Sequence, residues 1–389
     1  MKEDIPKNAK PAVQALAEGL DKMYDFRYNE VREVPEYTEK ESSIYKGVDK
    51  YFINSIVVEL KLQKVSCSYQ EVELLLNSNT FDTYDPFKEY FDGLPKWNPE
   101  DQSEIQKLCN TVTTTNQPFF EECLRRWILA LVASAADASA VNQQMLILTG
   151  KQGLGKSTWF NQLVPLRLKD YYYSGIVNPN NKDTAIHLSE CLIINLDELS
   201  NLNRKQSGQL KEMITKSNIN VRKAYGKRSK GFIRRSSFVG STNEDLFLWD
   251  ETGSRRFLCF EATTINYKHD VNMNLVYAEA KHLLENGEKY HFDRDDILKI
   301  EENNEAFKVK TIEERKIRAG AFKSKKSDEE KEGYVYEHKL RVHEIFYRLF
   351  QKEARRSDLV RLGKVLTKME FESKKVNGDQ HYIIYTKSK

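Results

Sequence analysis

The residues best suited to chemistry lie in the segment from Met145 to Thr158. An apolar run, Met-Leu-Ile-Leu-Thr, leads into the glycine-rich turn Gly-Lys-Gln-Gly-Leu-Gly, and Lys-Ser-Thr then opens a helical pattern. This is G-x-x-x-x-G-K-[ST] in the strand–loop–helix context that gives the pattern physical meaning. Glycines let successive backbone N–H groups curl around phosphate oxygens, and the helix N-terminus adds the positive end of its dipole. The segment therefore predicts a nucleotide-binding P-loop.

The side chains of this loop predict how ATP and Mg²⁺ would be held. Lys156 is expected to reach the β- and γ-phosphates, and the Ser157 hydroxyl is expected to ligate Mg²⁺. The alternative is a coincidental glycine-rich turn, and the flanking strand and helix patterns argue against it. The predicted nucleotide-binding residues are Gly150, Gly153, Gly155, Lys156, Ser157 and Thr158.

Acidic and amide side chains follow two further apolar runs. Asp197 and Glu198 come directly after one strand pattern, and Asn243 ends the next. Asp197 is expected to join Ser157 in holding Mg²⁺, and Glu198 is placed to polarise the attacking water. Asn243 can hydrogen-bond both the γ-phosphate and that water, although Ser-Thr-Asn alone is also a common helix N-cap cluster. With the P-loop upstream, these residues predict ATP hydrolysis.

Two arginines, Arg255 and Arg256, follow a Gly-Ser turn and precede an apolar strand. A guanidinium can stabilise charge on the transferring phosphoryl group, often from a neighbouring subunit. The alternative is a surface pair bonded to acids such as Glu251, and the sequence does not distinguish the two arginines. A finger acting between subunits would imply a ring with shared ATP sites.

A strongly basic stretch separates the second and third motifs. Residues 222–235 carry seven Lys or Arg side chains and no acid. Such side chains neutralise phosphates whatever the base sequence, and an aromatic tip can stack on a base. A solvated loop is the alternative, and nucleotide sensing across a subunit interface is another for Arg222 and Arg234. The predicted DNA-binding residues are Lys223, Tyr225, Lys227, Arg228 and Lys230.

The elements that position these residues predict an α/β fold with an AAA+-type P-loop ATPase core. We expect an N-terminal accessory region at 1–100 that is mainly helical. Within it, residues 51–60 alternate as a strand does, although their apolar spacing also suits a helix. The ATPase core with its leading helices is expected at 101–290, and a charged helix or linker at 291–333. Residues 334–389 predict two helices and a hairpin at Asn377-Gly378, the order of a small winged-helix domain.

Composition excludes several classes of protein. The 389 residues carry a net charge of only +3, so affinity for nucleic acid must come from local patches. Five scattered cysteines without a C-x-x-C pair argue against zinc and disulfide frameworks, which fits a reducing cytoplasm. No apolar run approaches the ~20 residues of a membrane span, and the N-terminus lacks a signal-peptide core. We expect a cytoplasmic protein without a membrane partner.

From residue 85 to residue 262 the sequence resembles the virulence-associated protein E family, which is related to superfamily 3 helicases of phages and mobile islands. The resemblance rests on an ordered set of segments. These are Pro86-Phe, Tyr90-Phe and Leu94-Pro-Lys-Trp97, then Trp127, the P-loop, Asn195-Leu-Asp-Glu198, Val221-Arg-Lys-Ala-Tyr-Gly-Lys227, Gly240-Ser-Thr-Asn243 and Gly253-Ser-Arg-Arg-Phe257. It implies a homo-hexameric AAA+-type ATPase that moves along single-stranded or forked DNA during replication in a bacterial cell. Possible partners are a primase or a replication initiator. The basic segment would be the hairpin that grips DNA in the ring channel.

The leading hypothesis is an ATP-dependent DNA helicase or translocase that replicates a phage, satellite or genomic island. The alternative is an ATP-dependent replication initiator or assembly switch that binds DNA without processive unwinding. A P-loop kinase is a third option, but it would leave Asn243 and the paired arginines without a role. The C-terminal basic residues fit either DNA or protein binding. They are Arg355, Arg356, Arg361, Lys364, Lys368, Lys374 and Lys375.

Overall fold

A computed structural model describes residues 11–137, 139–176, 181–199, 204–221, 230–248, 254–324, 334–376 and 378–387. The chain divides into two compact units, residues 1–307 and 308–389. This division falls inside the charged segment 291–333. None of the helices in the described part of the chain has the length and apolar character needed to span a membrane.

The first hundred residues combine helices with a small sheet, whereas the sequence predicts a mainly helical region. The elements are helices α1 (Pro11–Met23), α2 (Lys50–Leu62), α3 (Tyr69–Leu76) and α4 (Pro86–Asp92), and strands β1 (Tyr24–Asn29), β2 (Val34–Glu39), β3 (Lys46–Gly47) and β4 (Asp82–Tyr84). The strand order is β3-β2-β1-β4, with β4 parallel to β1. The run 51–60 is a helix because Phe52, Ile56 and Leu60 are buried at helical spacing and Asp49 caps it.

Residues 103–140 form two helices with a short strand between them. They are α5 (Glu104–Cys109), β5 (Val112–Thr114) and α6 (Gln117–Ala136). Helix α6 is largely buried, because apolar residues surround its axis from Phe120 to Ala135. It packs against the sheet that carries the P-loop.

The core of the first unit is a mixed α/β layer structure around a six-stranded sheet. Its further strands are β6 (Met145–Thr149), β7 (Tyr172–Ser174), β8 (Ile193–Leu196), β11 (Ser237–Ser241) and β12 (Phe257–Ile265), and a separate hairpin holds β9 (Asn218–Val221) and β10 (Lys230–Ile233). The helices are α7 (Lys156–Gln162), α8 (Lys182–Glu190), α9 (Arg204–Thr215), α10 (Met273–Glu285) and α11 (Arg294–Asn304). The order is β5-β12-β6-β11-β8-β7, and all neighbours are parallel except β5. The carboxyl ends of β6, β8 and β11 therefore meet at one edge.

Part of the charged segment 291–333 is packed rather than solvated. In helix α11, Ile300 is 1% exposed and Asn304 is fully buried. The Asn304 amide donates to the carbonyls of Ser254 and Phe257 at 3.0 and 2.8 Å. The helix therefore fixes the turn that carries Arg255 and Arg256.

The second unit has the predicted order of two helices followed by a hairpin. Its elements are α12 (Ile312–Lys316), β13 (Tyr334–Arg341), α13 (Val342–Phe350), α14 (Arg356–Lys368), β14 (Ser373–Val376) and β15 (Asp379–Lys387). Strand β13, which the sequence does not predict, joins the hairpin in the order β13-β15-β14. Ile345, Leu362 and Ile384 form a separate core. Asn377 lies outside the described residues, and Gly378 has the left-handed φ of 89° that a tight hairpin turn uses.

Candidate active site

The glycine-rich loop between β6 and α7 leaves no room for side chains at two positions. A Cβ on Gly150 (φ +134°) would lie 2.5 Å from the Ala262 carbonyl oxygen. A Cβ on Gly155 (φ +87°) would lie 2.2 Å from the Tyr267 ring. Both glycines also need backbone angles that L side chains rarely adopt. Gly153 has φ +84° in open space, so the loop follows a path that only glycines allow.

Lys156 lies across this loop and joins it to the end of β11. Its side chain is buried, and Nζ donates to the carbonyls of Gly150 and Lys151 at 2.7 and 3.0 Å and to Asn243 Oδ1 at 2.9 Å. Burial lowers the pKa of Lys156, and the charge of Asp197 opposes that shift. The structure thus brings together two predicted site residues, Lys156 and Asn243, that are 87 positions apart.

Asp197 is the most heavily hydrogen-bonded carboxylate of the described site. Its Oδ1 accepts from Ser157 Oγ at 2.7 Å, Ser241 Oγ at 2.8 Å and Asn195 Nδ2 at 3.1 Å. Its Oδ2 accepts from Ser174 Oγ at 3.1 Å. Burial raises the pKa of Asp197, but these four hydrogen bonds outweigh burial and leave the pKa below its usual value. The carboxylate is therefore charged and held against the predicted metal-binding hydroxyl.

The chemistry of this pair fits Mg²⁺. Mg²⁺ takes few protein ligands, typically one or two carboxylates, and keeps waters and substrate phosphate oxygens for its other positions. Ser157 and Asp197 supply one hydroxyl and one carboxylate next to the P-loop. The described residues contain no group of three or more His, Cys, Asp or Glu side chains that would hold a metal on protein ligands alone.

We expect the pH dependence of stability to report the hydrogen bonds to Asp197. Because the folded pKa lies below the unfolded value of about 3.9, this group stabilises the fold above about pH 4 and loses that effect as pH falls through the folded pKa. The free energy of unfolding should therefore fall more steeply below pH 4 for wild type than for Asp197→Asn. Urea titrations from pH 7 to pH 2.5 would measure it, with the exposed Asp245→Asn as control. An equal decline in the free energy of unfolding below pH 4 for wild type and Asp197→Asn would contradict this account.

Glu198 and Asn243 lie at the same sheet edge and are both exposed. Glu198 has φ 57°, a left-handed conformation that costs a non-glycine residue about 1 kcal/mol. This backbone conformation sets the direction of the Glu198 side chain. Two predicted catalytic groups are therefore accessible beside the buried Lys156.

The paired arginines are not brought to this edge. Phe257 pairs with Met145 at the start of β6, and Glu261 pairs with Thr149 at its end. Arg255 and Arg256 precede Phe257, so they lie at the amino edge of the sheet, about 13 Å of strand from the P-loop edge. Arg255 is exposed, whereas Arg256 is half-buried with an Nε that has no hydrogen-bond partner. Burial, and then the charge of Arg255, lowers the pKa of Arg256.

Most of the predicted DNA-binding residues lie outside the described part of the chain. These are Lys223, Tyr225, Lys227 and Arg228. Lys230 is the first residue of β10 and pairs with Val221 of β9. Residues 222–229 therefore connect two antiparallel strands in sequence, as the loop of a hairpin does.

The expectation that Arg234 senses nucleotide in a neighbouring subunit is wrong. Arg234 is fully buried. Its guanidinium donates to the carbonyls of Asn142 at 2.7 Å, Ile214 at 2.8 Å and Lys216 at 2.8 Å, and to that of Ser236. The adjacent Arg235 donates to Asp85 at 2.6 Å. Both residues hold the base of the β9–β10 hairpin in the fold, so they do not belong to a free basic surface.

We expect Arg234→Leu to lower the free energy of unfolding of the first unit by about 3 kcal/mol, because several buried carbonyls would lose their donor. All four tryptophans belong to this unit, so tryptophan fluorescence in a urea titration measures it. Arg167→Leu is the control, since that side chain is 64% exposed and its ion pair with Glu89 contributes at most about 1 kcal/mol. Equal losses in the two variants would contradict the buried role of Arg234.

Several residues of the site have no role in the sequence analysis. Ser241 is the last residue of β11 and lies two positions before Asn243. The sequence therefore shows the motif that contains Ser241, but it does not show the hydrogen bond from Ser241 to Asp197. Asn195 belongs to the strand before Asp197, and Ser174 comes from the edge strand β7. Tyr267 reaches the loop from the segment after β12. Only the strand order brings Ser174 and Tyr267 to the site.

In the second unit, acids neutralise several of the predicted basic contacts. Arg361 donates to Glu313 at 3.2 Å and Asp358 at 2.6 Å. Lys368 lies 3.8 Å from Glu314, and Lys374 lies 3.3 Å from Glu372. These cations on α14 and β14 are therefore less available to phosphate than their number suggests.

Comparison with known proteins gives a family and a fold. The virulence-associated protein E-like domain matches residues 92–309. The apo structure of the NrS-1 C-terminal region (305–718) aligns with TM-score 0.50 and 16% identity, covering 97% of this chain and 99% of that chain. Two A-form apo structures of the same region align with TM-score 0.47 and 15% identity, covering 97% of this chain and 100% of theirs. No curated protein matches. At this identity the structural likeness concerns the fold alone.

Proposed function

This chain belongs to the virulence-associated protein E-like family, and from that premise we propose that it is an ATP-hydrolysing DNA helicase or translocase with an AAA+-type core. It would act in replication of a phage, satellite or genomic island. The observation that carries the proposal is the convergence of Lys156, Ser157, Asp197 and Asn243 at one edge of a parallel sheet. Glu198 is exposed directly after Asp197, so it supplies a water-activating acid that a pure nucleotide binder would not need.

Each residue has a distinct task in hydrolysis. Lys156 neutralises the β- and γ-phosphates, and in doing so exchanges its present carbonyl contacts for phosphate oxygens. Ser157 and Asp197 would hold Mg²⁺, which supplies charge neutralisation at the β- and γ-oxygens. Glu198 accepts a proton from the attacking water, and Asn243 orients that water against the γ-phosphate. The exposed positions of Glu198 and Asn243 suit groups that meet substrate and water.

The arginines support an assembly with shared sites. Because Arg255 and Arg256 lie at the opposite edge from their own P-loop, the ATP that they could reach belongs to another subunit. A homo-hexameric ring places every such edge against a neighbour's nucleotide. The basic segment 222–229, between β9 and β10, would then contact DNA in the channel.

The C-terminal unit supports the second candidate, an initiator or assembly switch that does not unwind processively. Its helix–helix–hairpin order with a third strand is that of a winged helix, and α14 would be the recognition helix. Ion pairs on Arg361 and Lys368 favour a protein partner for this helix over a phosphate backbone. Such a unit would recruit a partner protein such as a primase.

ATP hydrolysis with and without single-stranded DNA tests the proposal. Wild type should hydrolyse ATP with Mg²⁺, DNA should raise the rate, and a forked duplex should be separated. Lys156→Ala should lose hydrolysis at least 10²-fold, because the phosphates lose their cation. The exposed Lys289→Ala is the matched control. If DNA does not change the rate of hydrolysis and the forked duplex is not separated, the helicase proposal is wrong and the initiator or assembly switch is favoured. Hydrolysis unaffected by Lys156→Ala would overturn both.

A further inference from the structure

A cavity of about 360 Å³ lies beside helix α7, outside the group of residues discussed so far. One wall is Gln162 with the segment that follows α7, and the other is the segment from His269 to Asn274. Neither wall contains a residue for which the sequence predicts a function. The cavity is large enough to be a ligand subsite and has polar groups on both sides.

Each wall of the cavity is connected to the P-loop. Thr158, the last predicted nucleotide-binding residue, is four positions before Gln162, so the two lie on one face of α7. At ~1.5 Å per residue, Gln162 lies about 6 Å further along the helix. On the other wall, the Tyr267 ring packs against Gly155, two residues before His269. A ligand whose phosphates occupy the loop would therefore extend between these walls.

Two side chains in the cavity carry buried polar atoms without a partner. Gln162 Oε1 and both ring nitrogens of His269 are covered and make no hydrogen bond. Other polar groups of the walls are already paired: Lys169 Nζ donates to Asn161, and Asn274 accepts from the Tyr90 hydroxyl at 2.7 Å. Leaving a buried polar atom unpaired costs about 1–3 kcal/mol, so Gln162 and His269 are prepared for a ligand with its own donors and acceptors.

The charge state of His269 also suits a ligand that has its own donors and acceptors. Burial lowers its pKa, with Asp270 opposing that shift, so the ring is neutral at physiological pH. A neutral imidazole has one N–H donor and one acceptor nitrogen. With the Gln162 oxygen, the cavity offers an acceptor and a donor to a flat polar ligand.

We propose that this cavity binds the nucleobase of the nucleotide and that Gln162 and His269 select adenine. The Gln162 oxygen accepts from the adenine amino group, and the His269 N–H donates to a ring nitrogen. Guanine would place its carbonyl oxygen against the Gln162 oxygen, and binding it would require the Gln162 amide to rotate and present its NH2 group instead. Tyr267 forms the wall between base and phosphates. This inference rests on the proposed function, since it requires a nucleotide in the P-loop.

Isothermal titration calorimetry of the full chain with ATP, GTP and inorganic tripolyphosphate, each with Mg²⁺, tests the base site. We expect wild type to bind ATP about tenfold more tightly than GTP. Gln162→Met and His269→Phe should each weaken ATP binding about five- to tenfold, towards the GTP value, because one hydrogen bond to the base is lost. Neither should change the affinity for tripolyphosphate, which has no base. Gln106→Met replaces an exposed glutamine of the same unit and is the control.

The outcomes separate this inference from the proposed function. If both variants keep the wild-type ATP affinity while Lys156→Ala loses tripolyphosphate binding, the base site is wrong and the P-loop function stands. Equal affinity of wild type for ATP and GTP also overturns the adenine assignment, and this measurement needs no variant to fold. If Lys156→Ala binds all three ligands as wild type does, the proposed function fails and the base site fails with it.

Discussion

Arg255→Ala is expected to lower kcat for ATP hydrolysis about 10³-fold and to leave ATP binding nearly unchanged. The structure distinguishes two arginines that the sequence leaves equivalent. Arg255 is exposed on a turn fixed by Asn304, whereas Arg256 is half-buried. A guanidinium that reaches a neighbour's γ-phosphate must be accessible, and such fingers contribute about 10³–10⁵ to kcat. Arg255 is therefore the expected finger.

Mixing experiments make this prediction specific to a shared site. Wild-type protein mixed with Arg255→Ala should lose more activity than dilution explains, because each variant subunit disables the site of its wild-type neighbour. The control is Arg294→Ala, an exposed arginine of the same unit, and its mixtures should follow dilution. Activity that falls linearly with the fraction of Arg255→Ala would show that the sites work independently and would remove the argument for a ring.

The base of the β9–β10 hairpin is hydrogen-bonded to the core of the first unit. Arg234 bonds to Asn142, three residues before the P-loop strand, and to Ile214 and Lys216 at the end of α9. A shift of the P-loop strand would therefore be transmitted to the base of the hairpin through backbone carbonyls. This coupling is what a motor needs if phosphate contacts at one end are to move DNA contacts at the other.

The parts of the site that local sequence determines were predictable. Glycines in the loop need backbone angles that only they adopt readily, and the loop follows a strand and precedes a helix, so Gly150 to Ser157 form a recognisable unit. Carboxyl ends of parallel strands meet at one edge, which predicts that Asp197 and Asn243 approach Lys156. The contacts Ser157–Asp197 and Lys156–Asn243 bear out that approach.

What could not be predicted depends on distant pairing. The N-terminal sheet needs β4, whose Asp82 pairs with Arg27 across 55 positions, so no local pattern indicates it. Ser174 reaches Asp197 only because β7 pairs with β8. Arg234 has the same charge as the basic residues before it in sequence, and composition does not show that its guanidinium is buried among carbonyls.

The backbone at Glu198 has a left-handed conformation, which is unfavourable for a residue with a side chain. A φ of 57° is unfavourable for glutamate, yet the side chain is exposed and gains no burial in return. The same conformation occurs at Gln351, where it ends a helix, whereas at Glu198 it directs the side chain that follows Asp197, the proposed metal ligand.

Glu198→Gln is expected to lower kcat for ATP hydrolysis about 10²–10⁴-fold, because the amide keeps the shape of the side chain but cannot accept a proton from water. Binding of ATP, measured by calorimetry, should match wild type, since Lys156, Ser157 and Asp197 remain. The exposed Glu285→Gln is the matched control. A rate within a few-fold of wild type would show that Glu198 is not the base, and the strain at φ 57° would then need another explanation. Loss of both hydrolysis and ATP binding would place Glu198 in nucleotide binding instead.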